Sequence, residues 1–371
     1  MDPASLPAAV ARLFTAGAPA PAKVMAARGI IPGAKPQDLV TAIALLTLND
    51  DPQLADTART TLGKLPPPVL GAALAADLHG WVIQELAERY GRDHEVVEKL
   101  LRMPRIDGQA LALLAERADE RRGELIATNE ERMLQFPVVI EKLYMNKQVR
   151  MSTADRLLEL AVRNGIELDI PAFKEAAQAI AGELIPEPTE EPTFDDVLFK
   201  ETEAVASATA LEGEHDDAFD RDDEGEEQLK ERFVPLYQRI AQMTNSQKIR
   251  RATLGTAAER LLLVRDHNRI VAMAVVKSPA MRDGEAAVIS ASRSVGEDIL
   301  REIAKNREFT RNYQVKLNLV GNPRTPLTFA SGLISHLREG DLRQLAKSKN
   351  VPGAVASAAR QHLERKAGKK R

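Results

Sequence analysis

The sequence predicts an all-α protein arranged as an α-solenoid of short helices, and three observations support this fold class. Alanine and leucine are abundant throughout while aromatic residues make up only 4% of the chain, a composition that favours closely packed helices. Segments with a helix end, a proline or polar corner and a new helix start recur along the chain. Fragments of two such corners also repeat at regular offsets, which is typical of stacked repeats.

Charge divides the 371 residues into three parts. Residues 1–182 carry a net charge of −3, residues 183–228 a net charge of −16, and residues 229–371 a net charge of +16. Hydrophobic residues make up 44% of the chain, which is enough to bury a core in each outer part. We therefore predict an N-terminal helical-repeat module, an acidic linker, and a basic C-terminal helical-repeat module with a basic tail.

The N-terminal module contains several helix corners. Examples are "LLTLNDDPQLADTARTTLGKLP" (residues 45–66), "LLRMPRIDGQALALLAE" (residues 100–116) and "LYMNKQVRMSTADRLLELA" (residues 143–161). Each joins a helix end to a new helix start through proline or polar residues, as short helix-to-helix connections do.

The acidic part, "ELIPEPTEEPTFDDVLFKETEAVASATALEGEHDDAFDRDDEGEEQ", combines prolines with dense negative charge and few large apolar residues. Such a segment buries too little apolar surface to offset the entropy of ordering, so we predict a mostly disordered linker. One short helix, from Asp195 to Ala206, is compatible with this range. Its docking residues would be Phe194, Val197, Leu198 and Val205.

The corner "LVGNPRTPLT" (residues 319–328) illustrates the helix boundaries of the C-terminal module. We expect Asn322 to end one helix in a left-handed conformation and Pro323 to prevent its continuation. Thr325 and Pro326 would supply the N-cap and the first-turn proline of the next helix.

Apolar residues mark the buried faces of the two helices at this corner. In the outgoing helix Phe329, Leu333 and Leu337 fall on one stripe. The incoming helix has Tyr313, Leu317 and Val320 on one face and Val315 and Leu319 elsewhere. A helix that is apolar on two sides packs against neighbours on both sides.

Two pairs of matching fragments indicate a repeat. "VVKSP" (residues 275–279) matches "LVGNP" (residues 319–323) at an offset of 44, and "LREIAKN" (residues 300–306) matches "LRQLAKS" (residues 342–348) at an offset of 42. The matches predict a unit of about three short helices from Asn268 to Thr310, repeated from Arg311 to Val351.

The corners and the unit length resemble HEAT, armadillo and variant leucine-rich helical repeats. The whole arrangement is also similar to an uncharacterised group of bacterial helical-repeat proteins with an acidic interdomain segment. The resemblance implies a curved solenoid with a partner-binding surface, and it supplies no catalytic residues.

Sequence motifs for enzymatic chemistry are missing. Without cysteine, disulfides, thiolate metal sites and cysteine nucleophiles are excluded. There is no GxSxG elbow, P-loop or glycine-rich dinucleotide turn. The six histidines have no metal-site spacing, and "HEVVE" at His94 lacks the second histidine of a zinc protease. We expect no enzymatic activity, no cofactor, no metal and no small-molecule substrate.

One partial calcium-loop match lies in the acidic part. Asp220, Asp222, Glu224, Gly225 and Glu231 occupy positions 1, 3, 5, 6 and 12 of the template. Position 8, which is normally apolar, is a glutamate, and no convincing helix precedes the loop. A solvated acidic segment explains the match better than a calcium site.

The N-terminus lacks a basic segment followed by an apolar core, so it does not resemble a signal peptide. No apolar run approaches the roughly 20 residues of a membrane span. We expect a cytoplasmic protein.

Cations at helix ends and corners are the candidate partner-binding residues of the C-terminal module. They are Lys277, Arg282, Lys305, Arg307, Arg311, Arg324, Lys347 and Lys349. Part of this pattern has a structural cause, since cations stabilise helix C-termini. A further candidate is the N-terminal corner "LYMNKQVRMS", with Tyr144, Lys147 and Arg150.

We predict a non-catalytic scaffold or adaptor whose C-terminal module favours acidic protein partners. The alternative is a helical-repeat protein that binds nucleic acid without sequence preference. Against the alternative, the aromatic residues beside the main basic corner, Phe309 and Tyr313, suit the core. In either case the acidic part could lie across the basic module and mask it, although salt screens surface charges beyond about 8 Å.

Overall fold

A computed structural model describes residues 6–15, 17–181, 183, 185, 187–189, 191–213, 215–222, 226–348 and 350–369. These residues are predominantly helical, which confirms the predicted all-α class. They form two compact units, Met1–Leu168 and Asp169–Arg371. The acidic range 183–228 therefore belongs to the second unit, whereas we predicted a separate linker. The solenoid arrangement stays a prediction.

The first unit consists of short helices, many of which begin at prolines or at aspartate caps. Pro36, Pro52 and Pro137 each occupy a first helical position, and the Asp93 and Asp107 side chains accept hydrogen bonds from backbone N–H groups of the first turn. The helices are α1 Ala8–Ala11, α2 Ala20–Ala27, α3 Pro36–Leu46, α4 Pro52–Leu62, α5 Pro67–Leu74, α6 Gly80–Tyr90, α7 His94–Leu101, α8 Gly108–Glu116, α9 Glu120–Ala127, α10 Glu130–Gln135, α11 Pro137–Met145 and α12 Met151–Arg163.

The second unit contains longer connections and one small hairpin. Thr193, Thr244 and Thr256 begin three of its helices with reciprocal capping boxes. Its elements are α13 Phe173–Ile180, α14 Phe194–Ala208, β1 Phe219–Arg221, β2 Glu227–Leu229, α15 Val234–Ala241, α16 Asn245–Leu254, α17 Ala257–Leu263, α18 Arg269–Val276, α19 Asp283–Ala291, α20 Glu297–Lys305, α21 Tyr313–Gly321, α22 Leu327–Ile334, α23 Glu339–Lys347 and α24 Gly353–Lys369.

The acidic range is folded where the structure describes it between residues 191 and 222. Helix α14 buries Leu198 and Phe199. The compatible short helix is present, but Phe194 and Val197 are exposed and do not dock. Strands β1 and β2 pair antiparallel, with Phe219 opposite Leu229. The composition of the range did not predict these elements. A helix needs only a few apolar residues on one face to dock when the surface that it contacts is basic.

The two predicted repeat units each contain three short helices. Residues 268–310 contain α18, α19 and α20, and residues 311–351 contain α21, α22 and α23. Equivalent asparagines, Asn268 and Asn312, cap α18 and α21 by accepting from the backbone N–H two residues later. Helix α21 packs on α19 and on α22, as its two apolar faces predicted. Its Val320 lies in a C-terminal core that contains Ile334 and Leu337.

The corner after α21 differs in two details from the prediction. Asn322 has φ −80° and ψ 122°, so it ends the helix in an extended conformation and not in a left-handed one. Pro326, not Thr325, is the N-cap of α22, and Thr325 is buried. The extended conformation has a tertiary cause, because it directs the Asn322 amide toward the end of α19.

In both units an asparagine side-chain amide donates to two backbone carbonyls at the end of another helix, an arrangement that we call an asparagine staple. Asn322 Nδ2 donates to the carbonyls of Ser290 and Ser292 at 2.9 and 2.7 Å, where α19 ends. Asn146 Nδ2 donates to the carbonyls of Ala115 and Ala118 at 2.9 and 2.8 Å, where α8 ends. Each staple satisfies helix-terminal carbonyls that have no intrahelical partner. It also fixes the position of one helix on the helix about 30 residues earlier.

Candidate partner-binding surface

Three of the predicted partner-binding cations form ion pairs within the second unit. Lys277 pairs with Glu175 at 2.7 Å. Lys305 and Arg311 pair with nearby glutamates, at 2.8 and 3.3 Å. The Arg311 pair is highly exposed, with both side chains more than three quarters accessible. Exposed pairs of this kind stabilise by only about 0–1 kcal/mol, so a partner carboxylate can replace the glutamate.

Arg324 is mainly structural. Its Nη1 donates to the carbonyls of Ser294 and Val295 at 3.1 and 3.4 Å. The guanidinium therefore supports the loop between α19 and α20, beside the Asn322 staple. We predicted it as a contact residue because the sequence does not show that carbonyls lie within its reach.

Three predicted cations have no ion pair among the described residues, namely Arg282, Arg307 and Lys347. All three side chains are exposed, and no ion pair to them is found in the described ranges. Arg282 precedes α19, Arg307 follows α20, and Lys347 ends α23. Lys349 lies outside the described residues.

Two of the three candidate residues at the first-unit corner (residues 143–152) make contacts within that unit. Tyr144 is completely buried, and Arg150 pairs with Glu120 at 2.6 Å with a side chain only 12% exposed. Lys147 alone among the three candidates is exposed. The corner therefore offers a partner far less charge than its sequence indicated.

Several cations of the second unit lie in its interior. Arg251 pairs with Glu259 at 2.5 Å and Arg260 with Glu285 at 2.7 Å, all with side chains at most 5% exposed. The Phe199 ring of α14 packs against the guanidinium of Arg251, whose Cζ lies 4.8 Å from the ring centroid. These charges contribute to the net value of +16 but not to the surface that a partner meets.

The acidic range pairs with further cations of the same unit. Its carboxylates contact the following residues: Glu201 contacts Arg239, Glu203 contacts Arg251, Glu212 and Asp216 contact Arg232, Asp216 contacts Lys230, and Asp217 and Glu227 contact Arg265. In the part of the chain that the structure describes, none of these pairs involves a predicted partner-binding cation. The acidic range thus covers a different basic surface from the one at the helix corners.

Glu227 on β2 lies at the centre of a cluster of hydrogen-bond donors. Its Oε2 accepts hydrogen bonds from Arg265 Nε at 2.8 Å, Ser292 Oγ at 3.0 Å and Ser294 Oγ at 2.6 Å. Its Oε1 accepts from Arg221 Nε at 3.1 Å. The Glu227 side chain is 5% exposed. Four donors therefore surround one carboxylate, and we name Arg265, Ser292 and Ser294 the receptor cluster.

The donors of the receptor cluster strongly favour the charged carboxylate. Burial would raise the pKa of Glu227, but the Arg265 charge and the hydrogen bonds from Ser294, Arg265 and Ser292 outweigh it and lower the pKa to about 2. The carboxylate thus stays charged in the folded protein at pH values where the unfolded chain already binds a proton.

This difference predicts a pH dependence of stability. Because the folded pKa of Glu227 is lowered from 4.5 to about 2, its contribution is complete above pH 4.5 and is lost as the pH falls toward 2. The stability difference between the wild type and Glu227→Gln, measured by urea unfolding, should therefore shrink from about pH 6 to about pH 3. A difference that stays constant or grows over this range would contradict the assignment.

An open cleft of about 500 Å³ adjoins the receptor cluster. Its apolar lining comes from Phe219, Tyr237, Ile240 and Leu262, and Tyr237 is 48% exposed. The polar lining includes Arg265 and an ion pair between Lys248 and Asp266 at 2.9 Å. The cleft thus combines apolar side chains with two cations, each paired with a carboxylate that also lines the cleft.

Sequence reasoning missed the receptor cluster because its members come from distant parts of the chain. Arg265 lies just after α17, and Ser292 and Ser294 lie between α19 and α20. One signal was present. The glutamate at position 8 of the partial calcium loop is Glu227, which we interpreted only as evidence against calcium binding and for a solvated acidic segment.

The remaining expectations concern metals and membranes. Asp220 and Asp222 contact Lys230 at 3.7 Å and the Glu226 backbone N–H at 2.8 Å, respectively, and Glu224 and Gly225 lie outside the described residues. Across the described ranges, no group of three or more acidic or histidine side chains is arranged to hold a metal ion. Nor does any helix there have the length and apolar composition of a membrane span.

Comparisons with known proteins identify no family for this chain. No family model matches the sequence, and no curated protein matches it either.

Proposed function

We propose that this protein is a non-catalytic adaptor that binds an acidic protein partner through the exposed helix-corner cations of its second unit. The observation that supports this most directly is that Arg282, Arg307 and Lys347 are exposed and form no ion pair among the described residues. Their charges are available to a partner, whereas many other cations of the unit are already paired.

The surroundings of these cations favour a protein partner over nucleic acid. The half-buried Glu302 and the exposed Glu308 lie among the corner cations, so the surface carries both signs of charge. A phosphate backbone is bound when lysines and arginines neutralise its charges, and carboxylates among these cations repel it. An acidic protein surface that also carries a few basic groups matches this pattern better.

The aromatic residues at the main basic corner do not offer a stacking platform. Phe309 is 7% exposed. The Tyr313 hydroxyl bonds to Asp341, and the Arg338 guanidinium lies 4.5 Å above its ring. Binding of single-stranded nucleic acid generally uses exposed aromatic rings.

The proposal is tested with the full chain as bait in nuclease-treated extract. The Arg282→Ser/Arg307→Ser/Lys347→Ser variant should retain roughly 3- to 10-fold less of the captured protein than the wild type, because it loses the open charges. Captured protein that the variant retains equally would contradict the proposal.

A matched control separates the surface from the net charge. Arg28, Lys64 and Arg92 are exposed cations of the first unit. Their replacement by serine removes the same total charge and should leave retention unchanged. In the same series, a fluorescein-labelled DNA duplex should bind weakly. Tight duplex binding that the corner variant abolishes would favour the nucleic-acid alternative.

A further inference from the structure

We propose that the β1–β2 hairpin covers a second binding site, a receptor for an acidic peptide segment of a partner protein. The site consists of the receptor cluster and the adjoining cleft. It lies apart from the helix-corner cations in its residues, so it goes beyond the adaptor surface proposed above and does not depend on it.

The receptor cluster binds two carboxylates of the hairpin through Arg265. Arg265 has a side chain only 6% exposed, and its Nη1 is occupied by the Leu261 carbonyl at 2.6 Å. Its Nε and Nη2 donate to Glu227 and Asp217 at 2.8 and 2.9 Å. Part of this burial comes from the hairpin itself, because Phe219 stacks on the guanidinium. When the hairpin leaves, Arg265 loses both carboxylates, and an anionic group of a partner can restore these charge-assisted hydrogen bonds.

The receptor is held by the helical unit and not by the hairpin. Asn322 donates to the Ser292 carbonyl at 2.7 Å, and Arg324 donates to the Ser294 carbonyl at 3.1 Å. The α21–α22 corner thus positions both serine hydroxyls from behind. These backbone contacts do not involve the hairpin, so the loop that carries the two serines is ordered independently of it, which lowers the ordering cost of binding a replacement ligand there.

The hairpin itself is weakly anchored. Each strand has three residues, and an isolated two-stranded hairpin is at best marginally stable in water. Among its described residues, 216–222 and 226–230, Ala218 is the only fully buried apolar residue. Ion pairs therefore supply most of its attachment, and another chain of similar charge can supply the same pairs.

The contacts of the hairpin define the chemistry of the partner. Asp217 and Glu227 place two carboxylates on Arg265, and Phe219 between them in sequence stacks 4.2 Å from that guanidinium and lines the cleft. The partner segment should therefore carry at least two carboxylates and an aromatic or large aliphatic side chain. The exposed Tyr237 ring in the cleft offers that side chain a further contact.

The test uses a fluorescein-labelled peptide of residues 215–231, "HDDAFDRDDEGEEQLKE", added to the full chain. In the wild type, the attached hairpin competes at an effective concentration on the order of millimolar. In the Asp217→Asn/Glu227→Gln variant the attached hairpin lacks both carboxylates. Fluorescence anisotropy should show that this variant binds the peptide about tenfold more tightly than the wild type.

Two controls test whether the receptor cluster is responsible. The same peptide carrying Asp217→Asn and Glu227→Gln should not bind the variant. Adding Ser292→Ala and Ser294→Ala to the chain should weaken binding of the original peptide, because two of the donors are removed. The corner variant Arg282→Ser/Arg307→Ser/Lys347→Ser should leave peptide binding unchanged, which separates this inference from the proposed function.

A measurement on the wild-type chain covers the case of a variant that does not fold. Excess unlabelled peptide should increase deuterium uptake in residues 216–222, because it displaces the attached hairpin. Equal peptide affinity of variant and wild type, equal binding of both peptides, or unchanged deuterium uptake would each overturn the inference. A DNA duplex that displaces the labelled peptide better than the unlabelled peptide does would overturn the choice of an acidic peptide as ligand.

Discussion

Replacing Phe199 with alanine is expected to lower the free energy of unfolding by about 3–5 kcal/mol, the usual cost of deleting a buried phenylalanine ring. The ring is 4% exposed on α14, and the guanidinium carbons of Arg250 and Arg251 lie 5.2 and 4.8 Å from its centroid. Its loss leaves a cavity and removes two cation–π contacts. Urea unfolding followed by circular dichroism measures the change.

The matched control is Phe194→Ala on the same helix. Phe194 is 73% exposed, so its truncation should change stability by at most about 0.5 kcal/mol. The comparison tests whether the acidic range is part of the core of the second unit. Equal and small effects of both substitutions would mean that α14 does not dock as described.

Glu285→Ala is expected to destabilise the second unit by about 3–5 kcal/mol, because it leaves the Arg260 guanidinium buried without its counter-charge. Glu285 accepts from Arg260 Nε and Nη2 at 2.7 and 2.9 Å, and its Oε1 also accepts from the Arg282 backbone N–H at 3.2 Å. The substitution therefore also removes the cap of α19. Thermal and urea unfolding report the loss.

Two further variants give this prediction its controls. Glu297→Ala removes a glutamate that is 57% exposed and paired with Arg301, and should cost less than about 1 kcal/mol. Arg260→Met combined with Glu285→Leu replaces the buried pair by apolar groups and should recover most of the lost stability. A double variant as unstable as Glu285→Ala alone would show that the pair is not the source of the effect.

Helix positions were predictable because their causes are local. Prolines at first helical positions and aspartate, asparagine and threonine caps all act within a few residues of the helix start. Pro323 ended α21 as predicted. The conformation of Asn322 was not predictable, because its amide bonds to carbonyls of a helix that ends about 30 residues earlier.

The candidate site was only partly accessible from the sequence. Arg282 and Lys347 were predicted at helix ends and are exposed there, whereas Arg324 was predicted equally and serves as a loop support. Arg260 and Arg265 were counted in the same basic surplus and are buried. Counting charges cannot separate these cases, because burial depends on which elements pack around each side chain.

The amino-acid sequence specifies the all-α class, the helix boundaries and the opposite charges of residues 183–228 and 229–371, because propensity, capping and composition act within short segments. The three-dimensional packing assigns the partner of each charge. Glu227 meets Arg265, Ser292 and Ser294 across 38 to 67 residues of chain, and only folding brings these groups within hydrogen-bonding distance. For that reason the described residues of an acidic range that resembles a tether in composition pair with cations of the second unit.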